Sequence, residues 1–129
     1  MKKFENFCKA LDNLQLVRDT EEPYDIMTLT GSIALFEICF EQAWKAMKEI
    51  LTNHGYSQGQ TGSPKQILKL AYSAGMVQDE GGWLAMLVSR NDAAHSYNEE
   101  VALGLMQDIK GSYIALFEKL KTELADHWL

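Results

Sequence analysis

Apolar residues return every three or four positions along most of the chain, with polar residues between them, and that spacing predicts helices. Phe4, Phe7, Cys8, Leu11 and Leu14 place a first helix over residues 2–17. The polar run RDTEEPYD follows, and its Pro23 marks a loop or a helix entry. In ALFEICFEQAWKAMKEIL, Phe36, Cys39, Phe40, Ala43, Met47, Ile50 and Leu51 form one apolar stripe. Glu37, Glu41, Lys45, Lys48 and Glu49 fill most of the opposite side, and Glu41 precedes Lys45 in the favourable order for a helical ion pair. Thr28, Thr30 and Ser32 all qualify as the cap of this second helix, and His54-Gly55 ends it, because glycine takes the left-handed conformation readily.

The segment YSQGQTGS reads as a loop. Ser63-Pro64 then opens a third helix, serine capping and proline filling the first helical position. Ile67, Leu68, Ala71 and Tyr72 give that helix its apolar face, and Ala74-Gly75 closes it. DEGG is a further break, with Gly82 at the entrance of a short helix carrying Trp83, Leu84, Leu87 and Val88. Ala102, Leu105, Met106, Ile109, Tyr113, Leu116, Phe117, Leu120 and Leu124 keep helical period to the end. Gly104 and Gly111 interrupt this last helix, either as tolerated glycines or as points where a neighbouring helix comes close. There is no internal repeat and no low-complexity tract. The pattern predicts an all-α fold, an antiparallel four- to five-helix up-and-down bundle.

Size and charge narrow the function classes. A length of 129 residues fits one domain, residues 1–129, with a sizeable core. Eighteen acidic against twelve basic residues give a net charge of −6, which argues against a broad basic face for duplex nucleic acid but leaves room for a local phosphate site. The start MKKFENF has two lysines, but Glu5, Asn6 and Lys9 break any signal-like apolar run, and no stretch reads as a membrane span. Cys8 and Cys39 stand alone and form no CxxC motif, so two packed thiols in a reducing compartment are expected. A cytoplasmic protein without membrane contact follows as the expectation.

The chemistry concentrates in SRNDAAHSY, residues 89–97, which holds one of only two arginines and one of three histidines. Asp92 competes with Ser96 as cap of the last helix, Ser96 having Glu99 in capping-box position. On one straight helix Arg90 and His95 would stand about 140° apart. A helix break at Asn91-Asp92, or a second subunit, would be needed to aim them at one point. Arginine can fork two phosphate oxygens, histidine exchanges protons near neutrality, and a helix N-terminus favours an anion. Together these are the parts for metal-independent RNA cleavage: the ribose 2′-OH attacks the neighbouring phosphate, the histidine moves a proton, and the arginine stabilises the phosphorus centre. Tyr97 adds a hydroxyl able to stack, hydrogen-bond or be modified. Against this reading, Asp92, Glu99 and Glu100 crowd the region with negative charge, one chain supplies one histidine here, and capping or an ion pair explains such a spacing more often than catalysis.

The segment from Arg90 through Asn91, Asp92, His95, Ser96 and Tyr97 to Glu99 and Glu100 resembles the Arg-x4-His-x-Tyr motif of the HEPN superfamily, most closely its nucleotidyltransferase substrate-binding branch. Phe36 to Leu51 resembles that branch's second-helix signature, and Ser63 to Asn91 its Ser-Pro helix, Ala-Gly turn and tryptophan-bearing helix. The likeness covers roughly residues 4–125 and is weakest over 18–35, where Ala34-Leu35 replace a basic residue frequent in the family.

The resemblance implies a homodimeric helical bundle that pairs with a separate minimal nucleotidyltransferase in a toxin–antitoxin-like module. It implies Arg90 and His95 as the catalytic pair of an endoribonuclease acting on RNA, two subunits supplying both histidines. It also implies Tyr97 as the acceptor of AMP from the partner's nucleotide, with Asn91, Asp92, Ser96 and Glu99 as supporting residues. No metal and no cofactor of its own is implied. Gly31-Ser32 and Gly62-Ser63 lead to no Asp-x-Asp pair, so the chain is not the nucleotidyltransferase catalytic subunit.

Other residues carry plainer readings. Trp44 fits core or subunit interface, and Glu37 with Glu41 fits a solvated face or polar contact better than a metal pair. His54 suits a helix C-terminus, where a cation is favourable. His127 and Trp128 belong to a final turn expected to fray. The step from Gly59 to Ser63 lacks the glycines and lysine of a phosphate loop.

Overall fold

The structure, a computed structural model, describes residues 1–57 and 61–129. Gly59 and the centre of the YSQGQTGS loop lie outside the described residues. The elements run α1 (Lys2–Gln15), a 3-10 turn (Leu16–Asp19), α2 (Ile26–Asn53), α3 (Pro64–Ser73), α4 (Glu80–Asp92), a 3-10 turn (Ala93–His95), α5 (Glu99–Asp108), a π turn (Ile109–Tyr113) and α6 (Ile114–His127). The all-α bundle expected from the periodicity is the fold observed, and no strand occurs among the described residues.

Helix α2 is the axis. It packs against α1, α3, α4 and α5, while α6 closes the bundle against α1. Its predicted stripe of Phe36, Cys39, Phe40, Ala43, Met47, Ile50 and Leu51 is buried throughout, and Leu29 and Ile33 extend it toward the helix start. By length and mean hydropathy alone α2 would suffice to cross a membrane, a property the sequence reading did not expect. Its apolar side is instead turned onto the bundle core, which is one continuous cluster of buried side chains. Aromatic rings knit that core. Phe117 meets Phe7 at 6.2 Å, Phe36 at 6.3 Å and Trp83 at 5.5 Å, and Phe36 stacks on Tyr113 at 5.4 Å. Burial pushes the Cys39 thiol, and less strongly the Cys8 thiol, above the ordinary thiol range, so both are poor nucleophiles.

Several ends fall where local chemistry placed them. Ser63 and Gln66 form a reciprocal capping box with Pro64 at the first helical position. Gly55 and Gly75 take φ of +92° and +81° beyond α2 and α3. Asp79 caps α4 through the Gly82 amide at 2.8 Å, and a Cβ at Gly82 would stand 2.5 Å from the Asp79 carboxylate, so the glycine is what lets the cap fold over the helix.

Other ends correct the sequence reading. Helix α2 begins earlier than Thr28, Thr30 or Ser32 would start it. The Asp25 carboxylate accepts the Thr28 amide at 2.6 Å, and this holds the Asp25 pKa below the usual carboxylate range. The first helix stops at Gln15 and continues to Asp19 as a tighter turn. The last helix is not continuous either, because the π turn at Ile109–Tyr113 bulges it. Nothing lies within 4 Å of where a Cβ would sit on Gly104 or Gly111, so neither glycine marks a close approach. On α4, Val88 is exposed and the buried positions are Trp83, Met86 and Ser89. Tyr72, assigned to the apolar face of α3, is exposed as well. Trp128 does not fray free: its carbonyl meets His54 Nε2 at 2.8 Å, and its ring stands edge-on to the His54 ring at 4.8 Å.

The π turn serves a contact the sequence did not signal. Tyr113 Oη and Ser89 Oγ share a hydrogen bond of 2.6 Å between buried side chains, tying the last turn of α4 to the far helix. Burial raises the Tyr113 pKa, and the bond to Ser89 works against that rise. Tyr113→Phe is expected to cost about 1–3 kcal/mol, because Ser89 is left buried without its partner. The double variant with Ser89→Ala should recover part of the loss, as read from urea unfolding midpoints.

Candidate functional site

Asn91 and Asp92 stay within α4, which ends at Asp92, and the break comes just after them as a single 3-10 turn over Ala93–His95. Within one subunit it sends the two motif residues different ways. Arg90 folds inward onto α2, where its Nη1 donates to Glu41 Oε2 at 3.0 Å and its guanidinium lies 5.6 Å from the centre of the Phe40 ring. Its Nε is buried without a hydrogen-bond partner. Glu41 is itself braced. Trp44 Nε1 donates to the same carboxylate oxygen at 3.1 Å, and Lys45 Nζ stands 3.4 Å from the other. Glu41 therefore makes the polar contact foreseen for it, with Arg90 as its long-range partner, and Trp44 is half-buried beside it. Among the described residues no three potential ligands gather around a metal position.

His95 ends the 3-10 turn and is exposed. Its ring stands edge-on to Tyr97, centroids 6.1 Å apart, and Tyr97 is 84% exposed. Arg90's contacts are with α2 and His95's is with Tyr97, so within one subunit the two residues have different partners. Asn91, Asp92 and Glu99 are exposed around them, and Ser96 is half-buried.

Neither Asp92 nor Ser96 caps the last helix. Asn98 does, its side-chain oxygen accepting the Glu100 and Val101 amides at 2.9 and 3.3 Å. The reason is backbone conformation: Ser96 is α-like at φ −70°, ψ −6°, whereas Asn98 is extended at φ −80°, ψ 118°, as a cap requires. Because Asn98 already satisfies those amides, the N-terminus of α5 has little left to offer an anion. Phosphate contact would fall to Arg90 and His95.

A groove of about 340 Å³ opens beside this turn, lined by Tyr24, Leu29, Thr30 and Ile33 on one side and by Ser96, Tyr97 and Glu99 on the other. The sequence carried no sign of it, because its walls lie some seventy positions apart in the chain.

The class observed is an all-α bundle that carries the Arg90–Tyr97 segment at its α4–α5 junction. Residues 2–126 match the family model described as "Nucleotidyltransferase substrate binding protein like", and the chain belongs to that family. It is similar to the Probable ribonuclease HepT of Haemophilus influenzae, 30% identical over 83 residues. That match covers 63% of this chain but only 57% of the relative's length. A Thermus thermophilus crystal structure superposes with a TM-score of 0.80 at 28% identity, covering 92% of this chain and 98% of the other. A Haemophilus influenzae structure, described as revealing the fold of a substrate-binding domain of a nucleotidyltransferase, gives a TM-score of 0.79 at 22% identity, covering 95% and 99%. The second likeness is one of fold.

Proposed function

We propose that this chain is the accessory, substrate-binding subunit of a separate minimal nucleotidyltransferase, the two forming a toxin–antitoxin-like module. Family membership over residues 2–126 supports the pairing. The observation that carries it to a site is the exposed turn at His95–Tyr97, where the tyrosine hydroxyl is presented at the surface rather than used in packing. A hydroxyl so placed is open to a partner's active site. Transfer would break the bond between the α- and β-phosphates of ATP, join AMP to the Tyr97 oxygen as its hydroxyl gives up a proton to solvent, and release pyrophosphate. Intact mass after incubation with the partner and ATP should rise by one AMP or more, and Tyr97→Phe should remove that addition. Unchanged mass in the unsubstituted protein contradicts the acceptor role.

A second reading is supported by the similarity to the Probable ribonuclease HepT and by Arg90 and His95 themselves. Here the chain is a metal-independent endoribonuclease toxin. One subunit directs Arg90 to α2 and His95 to solvent, so this reading needs a homodimer that lays the two motifs side by side. Sedimentation as a monomer at micromolar concentration removes its basis. AMP on Tyr97 would silence it, since the added phosphate would stand beside His95.

A further inference from the structure

We propose that the groove between the start of α2 and the α4–α5 turn is a subsite for a nucleobase that carries an exocyclic amine. The volume, about 340 Å³, is that of a small-molecule site. Its floor is apolar, with Leu29 and Ile33 buried. Tyrosines stand on its two sides and differ in exposure and contacts. Tyr24 is half-buried and pinned, because Lys110 donates to its hydroxyl at 3.1 Å, lies 5.3 Å from its ring centre, and also bonds the Thr20 carbonyl. Tyr97 is exposed, with its ring touching His95. One fixed and one free aromatic ring make a clamp for a flat heterocycle, which stacks without regard to sequence.

The polar lining decides which heterocycle. Among the described residues, Glu99 is the one charged side chain on the groove wall, and no cation lines it. A carboxylate repels a phosphate and accepts hydrogen bonds from N–H donors. Adenine, cytosine and guanine offer an exocyclic amine on their pairing edge, whereas uracil offers only a ring N3–H set between two carbonyls that repel a carboxylate. The groove is therefore matched to the base and not to the phosphate of a nucleotide, and Tyr97 sets the base next to His95. This deepens the reading above by naming what the accessory subunit binds, and it rests on that reading only for the source of the base: RNA, or the partner's nucleotide.

The test needs no partner. The full chain, labelled with nitrogen-15, is titrated with adenosine, cytidine and uridine while backbone amide shifts are followed. Saturable shifts are expected at Thr30, Ser96 and Tyr97, with uridine about tenfold weaker, because the carbonyls on both sides of its N3–H repel the Glu99 carboxylate. Glu99→Gln should erase the preference over uridine. Thr30→Leu, at an exposed position on the groove wall, should abolish the shifts at Ser96 and Tyr97 while leaving the rest of the spectrum in place. ATP and a 2′-O-methyl single-stranded RNA are run as competitors against adenosine, and whichever displaces it identifies the source. The proposal is overturned if no nucleoside shifts those amides, if uridine binds equally well, if neither competitor displaces adenosine, or if the groove is covered by a second copy, seen as a dimer that Thr30→Leu dissociates. Nucleoside binding without any complex with a nucleotidyltransferase would leave the subsite standing and fail the pairing alone.

Discussion

Trp83→Ala is expected to destabilise the fold by about 3–5 kcal/mol, a large share of the roughly 5–15 kcal/mol that holds a typical domain together. The indole is 1% exposed, edge-on to Phe117 at 5.5 Å and tilted on Phe40 at 6.4 Å. Removing it leaves a cavity where α4, α2 and α6 meet. The damage extends toward the site, because Phe40 also carries the Arg90 guanidinium and α4 carries Arg90 itself. Trp83→Phe keeps a ring in the same place and should cost markedly less. Urea unfolding decides it: a lower midpoint with an unchanged slope reports lost stability of the same two states. A midpoint within experimental error of the unsubstituted protein would mean that the aromatic cluster is not what holds α4 to the bundle.

On the ribonuclease reading, Arg90→Ala and His95→Ala are expected each to lower RNA cleavage by about a hundredfold or more, the usual worth of a proton-transfer group or an electrostatic clamp. Cleavage should persist in a chelator, since the proposed chemistry uses the ribose hydroxyl, the histidine and the arginine. The two variants differ structurally. His95 is exposed, so its truncation should leave stability almost unchanged. Arg90 is held by Glu41 and Phe40, so its truncation also frees a carboxylate that keeps only Trp44 and Lys45. Arg90→Lys restores charge without the planar fork and should recover stability better than activity. Unchanged cleavage in both alanine variants would leave the chain an interaction module without ribonuclease chemistry.

What the sequence revealed was what the chain encodes locally. Periodicity marked the stripe of α2, and Ser63-Pro64, Gly55 and Gly75 marked helix ends, because capping and positive φ depend on neighbouring residues. Where several small polar residues competed for a cap, backbone conformation chose among them, and it chose Asp25 and Asn98 over the nearer candidates. The π turn left no mark because Ile109 and Tyr113 keep helical spacing across it. The motif was legible as Arg90, His95 and Tyr97, but its geometry was not. The Glu41–Arg90 pair spans 49 positions and the Ser89–Tyr113 pair 24, and nothing local signals a partner on another helix. Trp128 was misjudged for the same reason: its partner, His54, lies 74 positions away.

The central claim is the pairing with a nucleotidyltransferase, and co-purification tests it most directly. The tagged chain is co-expressed with a candidate partner, any small protein encoded beside it that carries Gly-Ser followed by Asp-x-Asp, and the eluate is sized by light scattering. The account predicts a stable complex of defined mass that contains both chains and survives gel filtration. Separate elution of the two proteins, each at the mass it has alone, would contradict it.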